Sequence, residues 1–301
     1  MSAVKRLYYG ALLAAAFAAP AAAQEGKGDV VYVPTPQIVV EEMLKMAKVG
    51  PNDFVIDLGS GDGRIVITAA QKFGARGLGV DLDRVLLERA REGAKAAGVA
   101  DRAQFIEQNL FETDLSKATE ITTYLLPEMN ERLRPTILAL RPGTRVVAHD
   151  YDMGEWMPDM EKVLSVPEKV VGDPGKSYIF FWTVPASVAG RWESLVQVGG
   201  RGVVYQFDLE QRYQRVMGDL RVDGKPVRLP LFSVRDGDQV RFEVDVPQGA
   251  GMVKHTFQGR VRDEAIEGTV TIGAHKPQPW KARLTVRGQM RVSALDPAAP
   301  R

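Results

Sequence analysis

Residues 55–64 read VIDLGSGDGR, and the glycines at 59, 61 and 63 decide the fold. An apolar run that ends in an acid suits a short buried strand. Glycines on alternate positions then let the backbone turn tightly and approach a ligand without a Cβ in the way. The spacing narrows which ligand that is. A phosphate loop of the ATPase kind ends in Gly-Lys-Ser/Thr, but here Arg64 and Ile65 follow Gly63, so that reading fails. A nicotinamide fingerprint, G-x-G-x-x-G, would place its third glycine at 64 and not at 63.

The spacing present is D-x-G-x-G-x-G, from Asp57 to Gly63. It suits S-adenosyl-L-methionine, which carries an amino-acid tail and no phosphate. Ser60 lies inside the loop, and Asp57, at the strand's carboxyl end, can take the ammonium of that tail. The next strand ends in GVDLD. Asp81 stands 22 residues after Gly59, where an acid can accept from both ribose hydroxyls, with Leu82 beside it. The third strand leads to EQNLFETDL, where Asn109 or Leu110 would face the adenine edge.

Outward from this loop the chain alternates. Pro36 opens a helix over QIVVEEMLKMAK, with Val39, Val40, Met43, Leu44 and Ala47 on one face. FVIDL, GLGVDL, AQFIEQ, EITTYLLP and GTRVVAHD read as strands, separated by helical RIVITAAQKF, RVLLERAREGAKAAG and EMNERLRPTILAL. Asp83 can cap the second of these helices, and Pro135 should kink or split the third. EKVVGD and SYIFFWTV are expected to close the sheet as an antiparallel pair. The fold class is therefore α/β, a mostly parallel sheet with helices on both faces. Near Pro185 the pattern changes to period two, with VDGK and RDGD as hairpin turns. A small antiparallel β-barrel or sandwich of seven or eight strands follows. The expected domains are a signal peptide over 1–23, the α/β domain over 24–185, the β domain over 186–295 and a disordered tail over 296–301.

The chain of 301 residues has a net charge of +1 and no cysteine. Thiolate catalysis, disulfides and cysteine zinc sites are excluded, and the three scattered histidines suggest no metal site. The charge gives no global pull toward nucleic acid. Lys5 and Arg6, the apolar run from Leu7 to Ala19 and the small residues before Gln24 form a cleavable export signal. The expected location is periplasmic or secreted, with no transmembrane span after cleavage. The alternative is an uncleaved membrane anchor.

Residues from about 30 to 160 resemble the seven-strand, class I S-adenosylmethionine-dependent methyltransferases. More narrowly they resemble the mitochondrial protein-lysine methyltransferases of adenine nucleotide translocase and the ATP synthase c-subunit, and their bacterial relatives. YVPTP, VIDLGSGDGRIVI, GVDLD and YLLPEMN carry the resemblance. It implies a Rossmann-like fold, S-adenosyl-L-methionine as cofactor and a lysine acceptor. Tyr32 can fold over the pocket and Thr35 can donate to the cofactor carboxylate. Pro127 and Glu128 would lie beside the acceptor, and Asp150, with His149 and Asp152, would line its channel. The family commonly has Asp where Asn109 stands, and an Asn can still accept through its amide oxygen. Alternatives are a small-molecule methyltransferase, an exported protein that binds the cofactor or another ligand without catalysis, and a β domain that dominates function as a lipocalin-like ligand or surface binder.

Overall fold

The computed structural model describes residues 32–292. The signal peptide expected over 1–23 and the tail expected from 296 lie outside the described residues. Helix α1 (Gln37–Met46) precedes β1 (Phe54–Leu58), α2 (Arg64–Phe73), β2 (Arg76–Asp81), α3 (Arg84–Ala96) and β3 (Ala103–Glu107). A single 3-10 turn (Leu110–Glu112) leads to β4 (Glu120–Thr123), α4 (Pro127–Leu138), β5 (Arg145–His149), β6 (Met160–Val166) and β7 (Gly175–Thr183). The seven strands lie in the order β3-β2-β1-β4-β5-β7-β6. All are parallel except for β7, which runs antiparallel to both β5 and β6.

The two faces of β1 show why the sheet needs helices on both sides. Ile56 and Leu58 pack with Ile121, Val146 and Ala148 on one face, and Val55 packs with Val39, Met43 and Ile65 on the other. A strand buried on both faces reads as an almost unbroken apolar run. Helix α3 starts at Asp83, whose Oδ1 accepts from the amides of Val85 (2.8 Å) and Leu86 (3.3 Å). Helix α2 starts and stops at left-handed glycines, Gly63 and Gly74.

Two expectations change. Pro135 does not split α4, which runs through it to Leu138. It sits about one turn from the end, where a missing N–H removes one bond and little helix follows. The edge hairpin pairs 160–166 with β7, and EKVVGD (168–173) is its connecting turn. Pro167, Gly172 and Pro174 punctuate that segment, and proline cannot donate to a ladder. Val170, 80% exposed, has no face to cover.

The second sheet contains β8 (Gly190–Val198), β9 (Arg201–Arg212), β10 (Arg215–Val222), β11 (Lys225–Val227), β12 (Phe232–Arg235), β13 (Gln239–Gln248), β14 (Gly251–Arg262), β15 (Ala265–Ile272) and β16 (Gln278–Arg287). It is a closed barrel, since β9 pairs with both β8 and β10. Eight strands form the ring, and the short β11 pairs with β10 beyond the end of β12. Asp223-Gly224 and Asp236-Gly237 make the expected turns, all four with positive φ. Inward positions alternate along each strand, and Tyr205, Phe207, Phe242, Phe257 and Trp280 fill the centre with ring centroids 4.9–6.5 Å apart. The remaining gap is about 10 Å³, the lower limit for one water molecule. The filled interior leaves no room there for a ligand of lipocalin size.

The barrel is pinned to the α/β domain by the tip between β9 and β10. Tyr213 is buried against Trp156, with ring centroids 6.4 Å apart. Arg212 pairs with Glu155 at 2.7 Å, and Gln214 Nε2 donates to the Met157 carbonyl at 2.7 Å. Gly237 packs so closely on Gly143 that a Cβ there would lie 2.3 Å from the Gly143 nitrogen.

Candidate active site

The strand order reverses between β1 and β4, and β2, β1, β4 and β5 all end at the same edge. In open α/β sheets a ligand binds in the crevice outside such a switch point. A cleft of about 230 Å³ lies there. Its walls come from the arm before α1, the glycine loop, the end of β2, the 3-10 turn and the end of β4. No wall residue comes from the barrel, which attaches beside Gly143, at the opposite end of β5.

The glycine loop folds as its spacing requires. The amides of Gly59 and Ser60 both donate to the Val80 carbonyl at 3.0 Å, tying the loop to β2. Gly59 and Ser60 line the cleft, while Gly61 and Gly63 stand behind it. At Gly61 a Cβ would lie 2.4 Å from the Tyr32 ring. At Gly63 it would lie 2.6 Å from Phe105 and 2.7 Å from Ala90. Gly61 makes room for the Tyr32 ring of the cleft wall, and Gly63 makes room for Phe105 and Ala90 in the core behind it. Arg64 secures the same corner, pairing with Asp62 at 2.6 Å and donating to the Thr35 carbonyl at 2.9 Å.

Asp57 lies in the cleft wall but is only 2% exposed. The Thr122 hydroxyl donates to its Oδ1 at 2.7 Å. Burial pushes its carboxyl up to about 7, Thr122 opposes that shift, and nearby Asp81 and Asp62 add to it. Asp81 accepts from the Gly61 amide at 2.8 Å and the Asp83 amide at 2.9 Å. Each oxygen keeps a lone pair for a further donor. Leu82 and Leu110 are wall residues. Asn109 also lines the cleft, and its Oδ1 accepts from the Phe111 amide at 3.0 Å, capping the 3-10 turn. Tyr32 and Thr35 come from the arm. Burial and neighbouring Asp62 push the Tyr32 phenol up to about 12. Thr35 Oγ1 meets His149 Nδ1 at 3.2 Å.

The cleft fits S-adenosyl-L-methionine. Ser60 Oγ is buried with no protein partner, in the wall of the cleft. Asp57 offers a buried carboxylate on one side of the switch point, and Asp81 offers one at the next strand end.

The acceptor side is arranged differently from the sequence expectation. Pro127 and Glu128 head α4, are exposed and do not line the cleft. His149 is fully buried, and its Nε2 meets Ser177 Oγ at 3.0 Å. Burial pushes its imidazole down to about 4. Asp150 lies behind the wall and pairs with buried Lys169 at 2.6 Å. Asp152 is exposed and accepts from the Gly154 amide at 2.9 Å. The wall residue at this end is Tyr124, whose hydroxyl donates to Asp150 Oδ2 at 3.2 Å. Sequence reading passed over Tyr124, although it follows β4 directly, as Leu82 follows β2. Arg132 was also passed over, since its place over the Phe111 ring at 3.8 Å comes from two distant elements.

The family model described as the ANTKMT methyltransferase domain matches residues 57–160. A protein-lysine N-methyltransferase of Saccharolobus islandicus is 45% identical over 131 residues, covering 43% of this chain and 81% of that one. A lysine N-methyltransferase of the ATP synthase c-subunit, from Xenopus laevis, is 32% identical over 129 residues, 42% of this chain and 56% of its own length. The chain thus spans most of the archaeal relative and about half of the vertebrate one. Among solved structures, an RNA methyltransferase from Salinibacter ruber in complex with S-adenosyl-L-homocysteine is 47% identical, with a TM-score of 0.47, covering 52% of this chain and 96% of that one. With its glycine loop, buried Asp57 and cleft at the switch point, the chain belongs to the family of S-adenosyl-L-methionine-dependent methyltransferases that includes the archaeal protein-lysine N-methyltransferase.

Proposed function

We propose that the protein transfers a methyl group to the side-chain amine of a protein lysine. The observation that carries this reading is the 45% identity to the archaeal protein-lysine N-methyltransferase, together with the family-model match over 57–160, which includes the glycine loop and the β4 end. The site's chemistry agrees with it. S-adenosyl-L-methionine, when bound, supplies an activated methyl on a sulfonium that leaves as a thioether. The chain's own residues have to hold the amine in line, and positioning of that kind is worth about 7–11 kcal/mol. A lysine must also lose its proton, at roughly 4.6 kcal/mol at neutral pH. Burial lowers that cost by disfavouring the ammonium, and Leu125 and Met129 supply apolar wall at the acceptor end. The nitrogen lone pair then forms the bond to carbon as the carbon–sulfur bond breaks, and one proton leaves the nitrogen for water.

The full-length protein should be incubated with tritiated S-adenosyl-L-methionine and cell fractions, and the labelled product hydrolysed. Label recovered as methyl-lysine is the expected result. Label confined to RNA or to a small molecule would overturn the lysine reading.

We also infer export, from the positive, apolar and small-residue sequence of 1–23. Sequencing the N-terminus of the protein purified from cells is expected to read from Gln24. An intact Met1 would refute cleavage.

A further inference from the structure

We propose that Tyr124 receives the acceptor amine, and that Asp150 and Lys169 act through it as a positioning pair. This rests on the lysine reading above and names the residue that would carry out its positioning step.

The inference follows from where polar atoms stand in the cleft. Asp81, Asp83 and Asn109 line the cleft at the end of β2 and at the 3-10 turn. Asp57 at the end of β1, Asp62 in the glycine loop and Tyr32 from the arm stand together at the β1 end. At the β4 end the wall is Tyr124, Leu125 and Met129, with Arg132 one turn further along α4. The Arg132 guanidinium lies over the Phe111 ring at 3.8 Å and has no acceptor for an amine N–H, so the phenol oxygen is the acceptor among apolar neighbours. Glu128 is exposed and does not line the cleft, His149 is sealed, and the Asp150 side chain is only 5% exposed.

Asp150 is committed elsewhere. Its Oδ2 takes the Tyr124 hydroxyl at 3.2 Å and Lys169 Nζ at 2.6 Å, and its Oδ1 takes the Tyr178 amide at 3.1 Å. Lys169 is itself buried, donating to the carbonyls of Asp173 and Lys176. The backbone at Asp150 holds φ at +62°, in the left-handed region. A non-glycine residue stays there only when its surroundings fix it.

This arrangement assigns the Tyr124 oxygen its role. Its proton is given to Asp150, so its lone pairs face outward as acceptors. One of them can take an N–H of the incoming amine and turn the nitrogen lone pair toward the methyl. The phenol does not act as a base, because burial and the Asp150 charge hold it well above its usual range. The His149 ring, 4.0 Å from the Tyr124 centroid, fixes the ring plane from one side. Lys169 Nζ, 2.6 Å from Asp150 Oδ2, holds that oxygen in place as the acceptor of the phenol hydrogen bond.

The test uses the full-length protein and the lysine-containing acceptor purified from the labelling experiment above. Tyr124→Phe keeps the ring and removes only the hydroxyl. It is expected to lower kcat by about 10²-fold, the scale of a misplaced reacting group. Its cofactor affinity, by calorimetry, and its melting temperature should stay near wild type. Asp150→Asn should lower kcat in the wild-type background and have no further effect in the Tyr124→Phe background, which is the mark of a residue acting through another. A Tyr124→Phe enzyme within threefold of wild-type kcat overturns the assignment while leaving the lysine reading intact. Additive losses in the double variant overturn the positioning role of Asp150. If wild type labels no lysine in any fraction, the lysine reading fails and this inference fails with it.

Discussion

At the scale of single residues, the site depends on one buried carboxyl and three bare backbone positions. Asp57 has its pKa raised from the ordinary 3.8 to about 7 by burial. Its ionised form is the one that pairs with an ammonium. Cofactor affinity should therefore fall as pH drops below about 7, at most tenfold per unit, and Asp57→Asn should bind about 10–100-fold more weakly with a flattened profile. Calorimetric titration from pH 6 to 8 checks both. The same shift has a stability sign. The folded state keeps a proton that the unfolded chain gives up between about pH 4 and 7, so the cofactor-free protein loses this contribution as pH rises through that window. His149 works the other way: its depressed pKa of about 4 costs stability as pH falls from its ordinary 6.5. Comparing Asp57→Asn with wild type by denaturation across the window isolates the first effect, and the variant should be relatively more stable at pH 7 than at pH 4. Gly63→Ala tests the loop. It would need φ of +77° and a Cβ 2.6 Å from Phe105. A loss on the order of 1–3 kcal/mol is expected from overpacking alone, read from urea unfolding.

At the scale of elements, strand ends and helix starts were legible in sequence because their signals are local. Asp83 ahead of an apolar period predicted the start of α3, and its side chain makes the two cap bonds seen. Asp83→Ala should cost about 1 kcal/mol, visible as a lower urea midpoint at unchanged slope. Asp83 also lines the cleft, so cofactor affinity should be measured alongside. The edge hairpin was misplaced for an equally local reason. EKVVGD and MEKVLSV both carry valines and charges. Only the pairing of 160–166 with β7 decides between them. Pro135 likewise reads as a break, yet α4 is held by Leu133, Ile137 and Leu138 in the core, and tertiary packing overrides propensity.

At the scale of the whole molecule, the barrel and the α/β domain meet through few residues, and Tyr213 is the central one. It packs with Trp156, the Arg134 guanidinium stands 5.5 Å from its ring centroid, and its hydroxyl donates to the Val292 carbonyl at 3.1 Å. Tyr213→Ala should cost roughly 3–5 kcal/mol, the range for a buried aromatic. A single cooperative denaturation curve shifted by that amount would show that the domains unfold as one. An unshifted curve would show that they stand independently. None of the described helices is long and apolar enough to cross a membrane. The sequence by itself determined the α/β class, the cofactor loop and the change to β structure near Pro185, because hydrophobic period and glycine spacing are written along the chain. Only the tertiary structure decided that the β domain closes into a filled barrel away from the cleft, that Glu128 faces outward, and that Asp150 is spent on Lys169 and Tyr124. Those outcomes depend on which residues meet across the sheet or from distant parts of the chain, and no local pattern encodes such contacts.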